Sequence, residues 1–304
     1  HLGWEPSWLL IKGAEVSSNW TLLDCMRGIV AGGNDMMLKP NANDEETTGN
    51  DYIELTPTGF KIKATYNQVN KDGDNYIYTC IRRPDGYVGK PAEAGTDVFT
   101  MDTGNGSATI PTFDSGFPVD FTFVRPITIS TNYGANSRLT GESFVRLNTT
   151  DVKGTYSGNK YDSNLGFGAA SYWSTSSVAW MFKRHAGFDV TLHNVAASSG
   201  TGIIKHNLGV VPEMIWGKSR DNADSWAVYH KGMNGGTNPQ DYYDALNSDN
   251  GMQTLSDFWG SSGPTATDFT IAQTYRATGD HIYMLFASVT GISKVGYYSG
   301  SNSS

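Results

Sequence analysis

"HNLGVVPEMIWGK" occupies residues 206–218, and "HLGWEPSWLLIKG" occupies residues 1–13. Each passes through His, Leu-Gly, two further residues and Pro, then an apolar run that reaches Lys. A phrase that returns two thirds of the way along a chain signals internal duplication, and duplication decides the fold before any single element is assigned. With Gly3, Gly116 and Gly209 as anchors, a cation follows nine residues later (Lys12, Arg125, Lys218). An aromatic follows seventeen residues after each anchor (Trp20, Tyr133, Trp226). Between anchor and cation lie the apolar runs "SWLLI", "DFTFV" and "EMIWG".

The agreement continues downstream. Each stretch carries a Leu before an Asn-bearing turn: Leu38 with Asn41, Leu147-Asn148, Leu246-Asn247. A Phe-bearing strand follows, as "GFKIKAT" from Gly59, "GFGAAS" from Gly166 and "DFTIAQT" from Asp268. Each stretch closes on a matched run: "IYTCIRRPDG" to Gly86, "VAWMFKRHAG" to Gly187, "IYMLFASVTG" to Gly291. Lead-in strands open "DVFTMDTGNGSATIP" at Asp97 and "FDVTLHNV" at Phe188, and a third begins in "KVGYYSGSNSS" at Lys294. Three units result, residues 1–93, 94–187 and 188–291, with 292–304 as a surplus lead-in. The first unit has no lead-in, and the chain begins with His, which reads as a processed chain or a fragment.

Dense turn signals ("KDGDN", "GNG", "RPDG", "NGG", "GSSGP") separate short strands rich in β-branched and aromatic residues. The closing runs "IYTCI", "VAWMF" and "IYMLF" are apolar almost throughout, which predicts central strands covered on both faces. Pro6 and Pro212 fall just before a strand, where a missing N–H costs no ladder bond. The expectation is an all-β chain of three tandem antiparallel β-sandwich repeats, jelly-roll-like, each of about 100 residues. Propeller blades are shorter, at about 40–50 residues.

Charged residues are only 17% of the 304, net charge is −8, and no Lys/Arg cluster occurs. This disfavours a nucleic-acid partner. No run of 18 apolar residues exists to insert in a membrane. Two cysteines form no disulfide framework. Cys80 stands where the other units have Met181 and Leu285, so position predicts two buried or half-buried free thiols, Cys25 and Cys80.

Motifs for chemistry are sparse. The six His show no metal spacing, and His1 and His206 read as turn residues capping backbone. "GNGSAT" at Gly104 lacks the rest of a phosphate loop and reads as a hairpin turn. Asp72 and Asp74 are a weak Ca²⁺ candidate against a plain Asp-Gly turn. No acidic pair recurs at one position in all three units, which disfavours an active site in every unit; no catalytic residue and no cofactor is assigned. Trp4, Trp173, Tyr242, Tyr243 and Trp259 are not shared between units and are candidate contacts to a glycan or to another subunit.

"IIKHNLGVVPEMIWGKSRDNADSWAVYHKGM" with "YYDALNSD", "PTATDFTIA" and "YMLFASVTGISKVGYYSG" resembles tandem-repeat virion structural and tail-fibre-like proteins of tailed phages, common among marine and cyanobacterial phages. "DTGNGSATI" and "VAWMFKRHAGFDV" carry the same likeness into the middle unit. The resemblance implies a non-enzymatic β protein of the virion, extracellular, meeting copies of itself, other virion proteins or a cell-surface glycan. A lectin or carbohydrate-binding module, a capsid-decoration or filament subunit, and a glycan depolymerase are the alternatives. An unpaired surplus strand is a liability, so Lys294, Val295, Gly296, Tyr297, Tyr298 and Ser299 are expected to pair with a first-unit sheet, in the same chain or in a neighbour.

Overall fold

The computed structural model describes residues 2–82, 94–170, 173, 175–195, 202–272 and 277–298. His1, Gly86 and Ser299 lie outside the described residues. The chain is all-β, and helix among the described residues is limited to short 3₁₀ turns. None of these helices is long and apolar enough to cross a membrane.

The first stretch holds β1 (Pro6–Gly13), β2 (Thr21–Asp24), β3 (Asp35–Leu38), β4 (Thr47–Asn50), β5 (Ile53–Thr56), β6 (Gly59–Ile62) and β7 (Tyr76–Arg82). The second holds β8 (Phe99–Thr103), β9 (Phe113–Asp114), β10 (Phe121–Pro126), β11 (Gly134–Ser137), β12 (Ser143–Arg146), β13 (Gly154–Thr155), β14 (Gly166–Phe167) and β15 (Ser177–Phe182). The third holds β16 (Phe188–Val195), β17 (Ile203–Lys205), β18 (Met214–Ser219), β19 (Ala227–His230), β20 (Tyr242–Tyr243), β21 (Gln253–Thr254), β22 (Asp268–Thr270) and β23 (Gly279–Phe286).

Three antiparallel sheets follow in chain order: β4-β3-β2-β1-β7, then β13-β12-β11-β10-β15-β8, then β16-β23-β18-β19. In each, the strand after the glycine anchor lies between its successor and the closing strand. Gly3, Gly116 and Gly209 share φ of 82°, 79° and 76°, a left-handed conformation in which glycine carries no steric penalty.

The Leu-Asn signal has a structural meaning. The Asn41 side-chain oxygen accepts from the Trp20 N–H (2.9 Å), Asn148 from Tyr133 (3.1 Å) and Asn247 from Trp226 (2.8 Å). The same three amides donate back to Asn19, Asn132 and Ser225. Each carboxamide thus ties the start of one strand to the turn after another, satisfying a backbone donor that no ladder reaches. The recurrent cation is a loop clamp in two of its three places. Lys12 donates to the carbonyls of Gly13 and Val16, and Lys218 to those of Asn222, Asp224 and Thr150. Arg125 instead donates to the Tyr133 hydroxyl.

Each sheet covers its own core. Leu9, Ile11, Leu23 and Met37 fill the first, Phe113, Phe167, Trp173 and Met181 the second, and Ile215, Phe258, Trp259 and Leu285 the third. A fourth core joins the outward faces of the second and third sheets. Phe121, Ala135 and Val145 there meet Phe188, Val190, Trp226 and Met284, with Phe121 and Phe188 6.0 Å apart. Its rim is polar: Trp226 Nε1 donates to Arg146 O (2.8 Å), and Arg220 donates to Ser143 Oγ (3.0 Å).

Two expectations need correction. β23 is covered on both faces and β15 on one, its other face half-buried, but β7 is an edge strand with Ile77 and Ile81 more than half exposed. The cause is a missing neighbour: β8 pairs with β15 and β16 with β23, whereas among the described residues β7 pairs with β1 alone. Cys80 is accordingly free and half-buried, while Met181 and Leu285 are fully buried. The second correction concerns the tail. Lys294, Val295, Gly296, Tyr297 and Tyr298 form no strand with the first sheet of this chain. Instead the Val295 N–H donates to Ser288 Oγ (3.0 Å), and the Tyr297 ring lies against Gly232, where a Cβ would sit 2.3 Å from it.

Candidate functional site

A cleft of about 250 Å³ lies on the covered side of the second sheet. β10 contributes Val124, β11 Gly134 and Asn136, and β12 Phe144 and Arg146, with Tyr156 and Trp173 closing over them. Counting from the shared aromatic explains why space opens here. Asn136 takes the place of Leu23 and Tyr229, both buried in their cores, and Gly134 that of Thr21 and Ala227. Smaller and more polar residues leave this stretch of core unfilled. The Asn136 amide is spoken for, donating to Gly141 O (3.0 Å) and accepting from the Tyr161 hydroxyl (2.8 Å). The Phe144 ring lies against Gly154, where a Cβ would come within 2.8 Å of it, and the Arg146 guanidinium sits 5.5 Å from its ring centre. Tyr156 meets Trp173 edge to face at 5.3 Å. Aromatic faces beside amides and a guanidinium suit a small polar ring with C–H faces.

A larger cleft of about 480 Å³ runs between the loop after β2 and the second stretch. Arg27, Arg138, Lys153, Lys160 and Arg220 line it, yet each faces a carboxylate. Arg27 meets Asp24 (2.7 Å), Lys153 meets Asp221 (2.7 Å), Lys160 meets Glu142, Arg220 lies 3.8 Å from Asp280, and Arg138 lies 3.9 Å from Asp120. The cleft is neutralised from within and reads as a seam between sheets.

The sequence candidates scatter. Trp259 is wholly buried, its Nε1 donating to Tyr242 O (3.1 Å), and Trp173 is buried in the second core. Trp259 presents no face to solvent, which corrects its reading as a surface contact, whereas Trp173 is one wall of the cleft around Phe144 and Tyr156. Tyr243 stacks on Phe258 at 4.4 Å, and Tyr242 and Trp4 are half-buried. Asp74 pairs with Lys71 (2.8 Å) beside exposed Asp72, in a turn whose Gly73 has φ +81°. Among the described residues no three His, Cys, Asp or Glu side chains gather that could hold a metal ion.

His206 caps backbone as expected: its Nδ1 accepts from the Leu208 N–H and its Nε2 faces Thr265 O. His185 and His230 accept in the same way from Gly187 and Gly232. Burial holds His185 and His206 down to about 4, and the His230 imidazole is lowered for the same reason.

The sequence reading missed a buried charge cluster. Arg184 makes a two-pronged pair with Glu5 (2.8 Å on one prong) and lies within 3.7 Å of Asp120 and 3.9 Å of Asp189. All four side chains are at least nine-tenths buried. Burial pushes Asp189 up to about 6 against the pull of Arg184. A signal existed: an acid four residues after the anchor, Asp120 and Glu213, accepts the N–H of the matched residues Arg184 and Ser288.

No curated protein matches this chain. No solved structure matches it either. A family model described as "Domain of unknown function (DUF7483)" matches residues 1–83 and 169–304, and leaves out the part of the second sheet that carries most of the cleft around Phe144 and Tyr156. The chain belongs to that DUF7483 family.

Proposed function

We propose that this chain is a non-enzymatic structural protein: three jelly-roll-like copies of one β unit, residues 1–93, 94–187 and 188–291, forming a tail-fibre-like or related appendage subunit of a phage virion. The observation that carries the reading is the Asn-to-aromatic hydrogen bond, made at equal offsets in all three stretches beside equal glycine conformations. A unit copied with its internal ties and fused through a shared core gives a stiff scaffold, and scaffolds serve by presenting surfaces to neighbours. The resemblance of the sequence to virion proteins supplies the setting, extracellular and among other virion proteins. The tail Lys294 to Ser299 has a natural acceptor in the open edge of β7 of a neighbouring copy, since strand addition satisfies a bare ladder.

A second reading follows from the aromatic cleft around Tyr156 and Phe144, which suits one sugar ring. Its volume is below the ~300 Å³ at which ligand pockets usually begin. A glycan array with wild type and Tyr156→Ala separates the readings. No binding by either protein supports the scaffold alone, and binding lost in the variant supports a lectin. Release of reducing ends, abolished by one Asp or Glu substitution, would refute both.

A further inference from the structure

We infer that the outward face of the first sheet is an interface for a second copy of this chain, two first sheets packing back to back as the second and third sheets do within one chain. The inference rests on the scaffold reading and names its partner.

Trp8, Leu10, Leu22, Leu38, Ile77 and Ile81 share the face opposite Leu9, Ile11, Leu23 and Met37. Among the described residues none of the six belongs to any of the four cores. Ile77 and Ile81 are 55% and 54% exposed. By strand position, Trp8, Leu10, Leu22, Leu38 and Ile81 correspond to Phe121, Phe123, Ala135, Val145 and Phe182. Phe121, Ala135 and Val145 are buried in the core shared by the second and third sheets, and Phe123 and Phe182 pack half-buried against it. The same scaffold positions are thus apolar in both sheets; a facing sheet meets them in one, whereas in the other Ile81 is exposed and Trp8, Leu10, Leu22 and Leu38 are half-buried with no core around them among the described residues. An apolar patch of this kind on a water-soluble surface marks a contact.

What covers the counterpart face is another sheet of the same design, so the fitting occupant is another copy of that design. A twofold pair needs only one self-complementary patch. Lys12 points the same way. Lys218 donates to two carbonyls of its own loop and one, Thr150 O, from the loop after β12 in the second stretch. Lys12 has its two loop carbonyls and, among the described residues, no counterpart of Thr150 O for its third N–H.

Light scattering and sedimentation of the full chain test this. Wild type should run at twice the mass of one chain. The Ile77→Lys/Ile81→Lys variant should run as a single chain with unchanged circular dichroism, since both residues are more than half exposed, and its melting should lose the concentration dependence that a wild-type dimer shows. A chain ending at Gly291 should still dimerise. A wild type that stays a single chain up to millimolar concentration overturns the interface. A dimer that survives the double lysine variant, or that disappears only with the tail, also overturns it, yet leaves the scaffold reading in place. Glycan hydrolysis would sink the scaffold reading without touching the interface.

Discussion

The three asparagine ties make a quantitative test, because one chemical group is removed from three environments. In Asn41→Ala, Asn148→Ala and Asn247→Ala the same backbone N–H loses its acceptor. Around Trp20 and Tyr133 the bond is solvent-exposed, so water replaces the amide oxygen. Each of those variants should cost no more than about 1 kcal/mol. The Trp226 N–H is less accessible, and its side chain is wholly buried in the shared core while donating to Arg146 O. Orphaning that donor should cost about 1–3 kcal/mol. Asn247→Asp keeps the acceptor and loses only the long 3.4 Å bond to Ser225, so it should recover most of the loss. Urea denaturation followed by tryptophan fluorescence gives the midpoints, and unchanged slopes would show that stability alone moved. Equal costs at the three sites would refute the reasoning, as would a larger cost at Asn41 or Asn148 than at Asn247.

Arg184→Met should destabilise by about 3–5 kcal/mol, because it strands Glu5, Asp120 and Asp189 in a dry site, and Glu5→Gln should cost clearly less; chemical denaturation reads both, and equal costs would argue against a charge effect. His206 has the opposite logic to a salt bridge. Its folded value lies near 4 against 6.5, so its contribution is full above pH 6.5 and is lost as pH falls through about 4. Protonation would turn the Nδ1 acceptor of the Leu208 N–H into a donor. The stability gap between wild type and His206→Gln should therefore shrink by about 3 kcal/mol between pH 7 and pH 4, and a constant gap would refute it. Asp35, whose three backbone donors do not prevent burial from raising it to about 6, runs the other way: its contribution is full below pH 3.8 and lost as pH rises through about 6. A gap between wild type and Asp35→Ala that widens over that rise would contradict this.

The recurrent anchor glycines, the cation nine residues on and the apolar closing runs were legible because each recurs at a fixed offset; that Lys12 and Lys218 clamp loop carbonyls was not, because it depends on where the loop folds. The burial of Trp259 was not. Its neighbours in sequence are turn residues, and its cover comes from Tyr229 on β19 and Phe269 on β22. The cleft beside Phe144 and Tyr156 was equally hidden. It arises from what Asn136 and Gly134 fail to fill, and a deficit of volume leaves no motif. The Arg184 cluster draws on Glu5, Asp120 and Asp189, so only the fold brings it together.

The closing strands carry the most telling mismatch between sequence and structure. "VAWMF" and "IYMLF" are apolar at successive positions; β23 is buried on both faces, and β15 is buried on one and half-buried on the other. "IYTCI" has the same two-sided pattern, yet β7 lies at an edge with one face bare. An antiparallel strand with one face in water ordinarily alternates apolar and polar residues. Ile77 and Ile81 break that alternation on the outward face, where polar residues would cost nothing in folding the single chain. Apolar side chains in those places gain burial only from something outside the described residues. Trp8, Leu10 and Leu22 lie across the same face, so a facing sheet accounts for all five residues, whereas a strand added at the edge would reach only the β7 positions.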